Sequence, residues 1–230
     1  MALLWKASDG GTYTRAFALF LCAAVAAAFW AARPQMFSFF LSALTLWIVY
    51  RYKRHDEDRL WLLPPLFALW INLHGGWAIG ALILLGTAGG EILNHLLRSR
   101  SESVMPVPRL IRFILFSALA AAALLINPVG FNMLLVPLDT FRLGALRLFI
   151  DEWQAPDITQ AHMMPLPVLL IAVTGVMLAR WRRWDWTEAL TVGVSAYLAL
   201  TAGRNVAFLA VTAAPVLTHH ADALLTARGW

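Results

Sequence analysis

Eight apolar runs, at residues 16–32, 36–50, 60–73, 77–97, 110–126, 166–181, 187–202 and 206–226, account for most of this chain. Runs of this kind leave few folds open. A helix that crosses a membrane needs about 20 predominantly apolar residues, and hydrocarbon admits only backbones that satisfy their own hydrogen bonds. With 60% hydrophobic and 13% charged residues and a mean hydropathy of +0.68, 230 residues cannot supply the polar surface of a water-soluble domain. The sequence predicts an all-α polytopic integral membrane protein, one transmembrane domain over residues 1–230 with about eight transmembrane helices.

The charges between the runs are asymmetric. With the N-terminus inside, Lys6, Arg15, Arg51, Lys53, Arg54, Arg59, Arg98, Arg100, Arg109, Arg112, Arg180, Arg182, Arg183 and Arg228 fall on the inner side. Arg33, Arg142, Arg147 and Arg204 fall on the outer side. The bias predicts both termini in the cytoplasm by the positive-inside rule. It also accounts for the pI of about 10.0 without a nucleic-acid partner, whose recognition needs basic residues gathered on a solvated face. Cys22, alone and inside an apolar run, permits no intramolecular disulfide. The first apolar run has no convincing cleavage site and is expected to stay as a helix.

The segment 127–164 is too polar to span. Its stretch "MLLVPLDTFRLGALRLFI" is apolar enough to lie on the outer membrane surface, and a short helix is expected after Pro137 with Asp139 near its start. Another anomaly is "WINLHGGW". Residues 60–73 give only about 21 Å of helix, short of the ~30 Å hydrocarbon core. The turn at His74 therefore sits below the outer headgroups, where non-helical backbone is tolerated only against protein or a water-filled cavity. Gly75 and Gly76 are expected to allow the tight turn and a close helix approach.

Several polar residues carry two readings each. Asn72 and His74 suit either substrate binding or the tying of helix ends. Arg33, beside Gln35, and Arg204, beside Asn205, are boundary arginines or phosphate ligands, since a guanidinium presents a planar fork of donors. "DEWQAPD" gathers Asp151, Glu152 and Asp157 with Trp153 and Gln154. It is either an ordinary solvated loop or a sugar-contacting one, in which a carboxylate takes a hydroxyl proton and an indole stacks on ring C–H groups. The separate outer blocks are expected to converge on one cavity: Arg33 and Arg204 supply positive charge, Asp151 or Glu152 stands opposite, and His74 lies near the floor. Glu91 and His95, four apart, are expected to share a structural hydrogen bond. His219, His220 and Asp222 do not make a metal site, because adjacent helical histidines diverge.

"AARPQMFSF", "LWLLPPLFALWINLHGGW", "INPVGFNMLLVPLD", "FIDEWQAPD" and "GRNVAFLAVTAAPVL" resemble, in order, blocks of a family of bacterial polytopic membrane proteins similar to C-type membrane glycosyltransferases. The resemblance implies a bacterial inner-membrane protein that uses a polyprenyl-phosphate-linked sugar at the outer face, with an acidic base in the first outer loop. This chain resembles the C-terminal portion of that family, and the acidic loop has no matching position here. The alternative is a non-catalytic subunit of a larger membrane assembly, in which small-residue runs such as "AAVAAA" and "ALAAAALL" pack against partner helices. Membrane lipids are partners in either case. No cofactor is indicated.

Overall fold

The computed structural model describes residues 1–30, 33–142 and 149–229. Among these the regular secondary structure is all helical, without a strand. The helices are α1 (Ala2–Ala7), α2 (Thr12–Ala27), α3 (Gln35–His55), α4 (Leu63–Leu73, entered through a 3-10 turn at Leu60–Leu62), α5 (Trp77–Leu96), α6 (Val107–Ala123), α7 (Asn132–Arg142), α8 (Pro165–Ala179), α9 (Trp186–Thr201) and α10 (Val206–Thr226). Three stretches, Trp77–Leu96, Ala161–Ala179 and Gly203–Thr226, are long and apolar enough to cross a membrane; Thr12–Ala27 and Leu60–Leu73 are shorter apolar helices. Each of the eight apolar runs forms a helix. Ala31 and Ala32 at the end of the first run, and Arg147 on the outer side, lie outside the described residues.

The centre is α10, which packs against α1, α2, α3, α8 and α9. Residues from Val206 to Thr218 are buried without interruption, so this helix is apolar all round because it meets protein all round. Around it α9 packs on α5, α5 on α3 and α6, and α6 on α4. Helices in hydrocarbon gain little from apolar burial against one another and rely on close approach and interhelical hydrogen bonds. Both occur where α5, α9 and α10 meet. A Cβ on Gly90 would fall 2.3 Å from the Thr187 Cα, so only glycine admits the α5–α9 crossing. Ser195 and Thr212 join α9 to α10 through hydroxyls 2.7 Å apart, a bond worth roughly 0.6 kcal/mol by the membrane average.

The two ends of the bundle differ. One gathers the last turn of α3, the ends of α5, α8 and α10 and the starts of α6 and α9, and it holds most of the basic side chains. Here Lys53, 5% exposed, is paired with Glu91 and lies 2.9 Å from an Asp185 oxygen. Thr187 and Asn94 hydroxyl and amide groups donate to the same carboxylates, and the Met105 N–H donates to Glu91 at 2.8 Å. Burial alone would raise the Asp185 pKa, but the adjacent Lys53 charge and its hydrogen bonds hold it below the ordinary carboxylate value. The expected Glu91–His95 bond is not made. Glu91 faces α3 and is fully buried, whereas His95 is exposed and its Nε2 donates to the Met105 carbonyl at 2.8 Å.

At the other end, α7 also departs from expectation. It starts at Asn132, five residues before Pro137, which lies inside it. Gly130, at φ +63°, turns the chain so that the Met133 and Leu134 N–H groups donate to Gly130 and Phe131, seeding the helix ahead of the proline. Asp139 consequently sits near its end. Positions 143–148 of the expected surface helix lie outside the described residues.

Candidate functional site

At this second end, the segment from residue 150 onwards lodges between the α2–α3 turn and the α9–α10 turn. Two single-turn 3-10 helices meet there: Asp151–Trp153 and Gly203–Asn205. The contact is fixed through the backbone, the Gly203 N–H donating to the Gln154 carbonyl at 2.9 Å. Between them and the start of α3 opens a cavity of about 820 Å³, whose wall includes Arg33, Gln35, Asp151, Glu152, Gln154 and Asp157. Six of the residues singled out from the sequence thus line one space, although they come from two separate blocks.

The charges in it are partly satisfied. Arg33 Nη1 lies 3.1 Å from Glu152 Oε2 in a pair whose side chains are 60% and 25% exposed. That is the exposure at which an ion pair contributes little stability and remains available to a ligand. Asp157 accepts from the Thr159 N–H and hydroxyl and from Gln160, and these bonds lower its pKa. It shapes its own turn. Asp151 is exposed and stands at the first position of its 3-10 turn, so of the three carboxylates it is the one not engaged by a side-chain hydrogen bond among the described residues.

Arg204 and Trp153 stand beside the cavity. The guanidinium lies 4.1 Å above the indole centroid, a cation–π contact that holds it flat without using its N–H groups. Its charge reaches both Glu152 and His74. Asn205 is turned inward, its amide donating to the Leu198 carbonyl at 3.1 Å.

His74 and Asn72 are not among the lining residues. Asn72 Nδ2 donates to the Ala68 and Ile126 carbonyls, both at 2.7 Å, and so ties the end of α4 to the segment following α6. His74 ends α4 in extended conformation. Its Nδ1 accepts the Gly76 N–H at 3.1 Å and lies 2.7 Å from Ser38 Oγ, which in turn accepts the Trp70 indole N–H at 2.9 Å. With Nδ1 an acceptor, the ring carries its proton on Nε2. Burial, and then the Arg204 charge, lower the His74 pKa and keep the ring neutral. Of the two turn glycines only Gly76 is required: a Cβ there would fall 2.2 Å from Ser38 Oγ, whereas one on Gly75 would meet nothing within 4 Å.

Ser38, buried, and Trp70, fully buried, were not singled out from the sequence, nor were Gln160 and His162 on the cavity wall. The available signal for Ser38 was its place one turn after Gln35 in the mostly apolar first half of α3. Among the described residues no group of three His, Cys, Asp or Glu side chains is arranged to hold a metal ion. His220 instead donates to Glu188 at 2.6 Å, and Asp222 accepts from the Gly11 N–H. The chain matches no family model, no curated protein and no solved structure.

Proposed function

We propose that this chain is a C-type glycosyltransferase-like membrane protein that binds a polyprenyl-phosphate-linked sugar at the outer face of a bacterial inner membrane. In this reading the eight helical runs span the membrane, α7 lies on its outer surface, and both termini are cytoplasmic. The concentration of basic side chains at the end opposite the cavity supports that orientation. The observation that carries the functional reading is the cavity itself. It joins Arg33 with free and paired carboxylates and three amides at the mouth of an apolar bundle, and Arg204 stands beside it, held flat on an indole.

Each part has a task in such chemistry. Arg33 and Arg204 bind the phosphate, with Arg33 exchanging Glu152 for the ligand. Trp153, Gln35 and Gln154 contact the sugar, and Asp151 is positioned to accept a hydroxyl proton. Binding of a polyprenyl-phosphate hexose to the purified protein in nanodiscs, competed by polyprenyl phosphate, tests the reading. Removing one charge-assisted contact costs about 1.5–3 kcal/mol, so Arg33→Ala and Arg204→Ala are each expected to weaken binding by roughly tenfold or more. Co-purification with stoichiometric partner subunits, together with no binding of the lipid-linked sugar, would overturn it in favour of an accessory subunit.

A further inference from the structure

At the opposite end of the bundle, a groove of about 670 Å³ runs between the end of α5 and the α8–α9 turn. Its wall holds Arg98, Arg100 and Arg182 together with Trp181, Trp184 and Trp186, and no acidic residue. The neighbouring Arg183 is neutralised by Glu102, but among the described residues no carboxylate lies within ion-pair distance of these three arginines. All three are exposed. Trp184 adds a buried indole N–H without an acceptor, an arrangement rare enough in native structures to need an explanation.

The backbone at Arg98 points the same way. Helix α5 ends in a Schellman motif: the Ser99 N–H donates to Asn94 and the Arg98 N–H to His95, with Arg98 itself at φ +50°. Glycine is the usual residue at that left-handed position, and any side chain there is strained. An arginine at this position places a cation at the helix end, beside the groove, where a glycine would fold more easily.

We infer that this groove is a binding site for the phosphate headgroup of an anionic glycerophospholipid. The flanking surface favours a lipid over a soluble anion. Leu97 and Trp181, 57% and 63% exposed, adjoin the arginines, and the groove terminates two helices long and apolar enough to cross a membrane. Acyl chains lie along that apolar surface, the tryptophans take the headgroup depth, and the guanidiniums bind the phosphodiester. The site is independent of the outer cavity and of the chemistry proposed for it.

Native mass spectrometry of the detergent-purified protein, titrated with phosphatidylglycerol, cardiolipin or phosphatidylcholine, tests this. At roughly fivefold for each arginine near an anionic surface, Arg98→Ala/Arg100→Ala/Arg182→Ala is expected to lose about a hundredfold in affinity for the anionic lipids. The charge-matched variant Arg51→Ala/Arg59→Ala/Arg112→Ala is expected to bind within about twofold of the parent. The triple lysine variant at the groove, which keeps the charge and the fold, should retain an intermediate affinity because the planar fork is lost. Equal affinity for phosphatidylcholine, equal losses in both alanine variants, or competition by inorganic phosphate at the concentration of the lipid would each overturn the inference.

Discussion

Ser38 Oγ and His74 Nδ1 lie 2.7 Å apart, joining the first turns of α3 to the break between α4 and α5. The serine relays an indole N–H from Trp70 to the imidazole, and the same nitrogen receives the Gly76 N–H. The turn is thereby tied to α3 and α4.

That packing separates two adjacent glycines. Gly76→Ala forces a methyl into Ser38 and is expected to cost about 1–3 kcal/mol, whereas Gly75→Ala is expected to stay within about 0.5 kcal/mol of the parent. Ser38→Ala, which strands the Trp70 indole N–H, is expected to cost about 1–3 kcal/mol. Thermal unfolding of the purified variants in one detergent, monitored by intrinsic tryptophan fluorescence, provides the comparison. Equal midpoints for the two glycine variants would refute the close approach.

His74 also predicts a pH dependence. Its pKa is lowered in the folded protein by burial and by Arg204, so between that lowered value and the ordinary value of about 6.5 the unfolded chain binds more protons. The stability linked to this residue is complete above pH ~6.5 and is lost as the pH falls. Protonation of Nδ1 removes the acceptor used by Ser38 and Gly76. His74→Asn, whose side-chain oxygen replaces Nδ1 as acceptor but does not titrate, should show a shallower fall in melting midpoint between pH 7.5 and 5. Identical slopes would exclude His74 as a contributor.

At the basic end, Lys53 is enclosed with Glu91 and Asp185, side chains 1%, 0% and 2% exposed. Lys53→Met leaves two buried carboxylates without their cation and is expected to cost about 3–5 kcal/mol. Arg112→Met, which breaks an Asp58 pair 54% and 36% exposed, should cost less than about 1 kcal/mol. The Asp185 pKa is lowered in the folded state. Its contribution is present above the unfolded value of about 3.9 and declines in more acidic solution. Asp185→Asn should therefore be less stable at neutral pH and lose stability less steeply in acid. Urea-induced unfolding in mixed micelles gives both quantities, and a Lys53→Met loss no larger than that of Arg112→Met would contradict the buried network.

Orientation is tested by single cysteines in a Cys22→Ser background. Asp157→Cys is expected to react with a membrane-impermeant maleimide from outside intact cells, and Arg59→Cys only after permeabilisation. The reverse pattern would place the cavity in the cytoplasm and defeat a donor site on the outer face.

The sequence by itself determined that the chain is helical and that each long apolar run forms a helix, because in hydrocarbon such runs leave the backbone no other partners than itself. It also determined the asymmetry of the basic residues, which is a property of order along the chain. The individual polar contacts were decided by tertiary structure. "HGGW" signalled an unusual turn, but the need for glycine at 76 alone depends on Ser38, from another helix. Glu91 and His95 share a helix face, yet Lys53, brought from a distant position, captured Glu91 because a buried carboxylate gains far more from a cation than from a solvated imidazole. Arg33 and the acidic loop were recognisable as polar blocks. That they line one cavity while Asn72 and Asn205 turn away to carbonyls follows from how α2, α3, α9 and α10 pack, since neither period nor composition specifies which helix ends become neighbours.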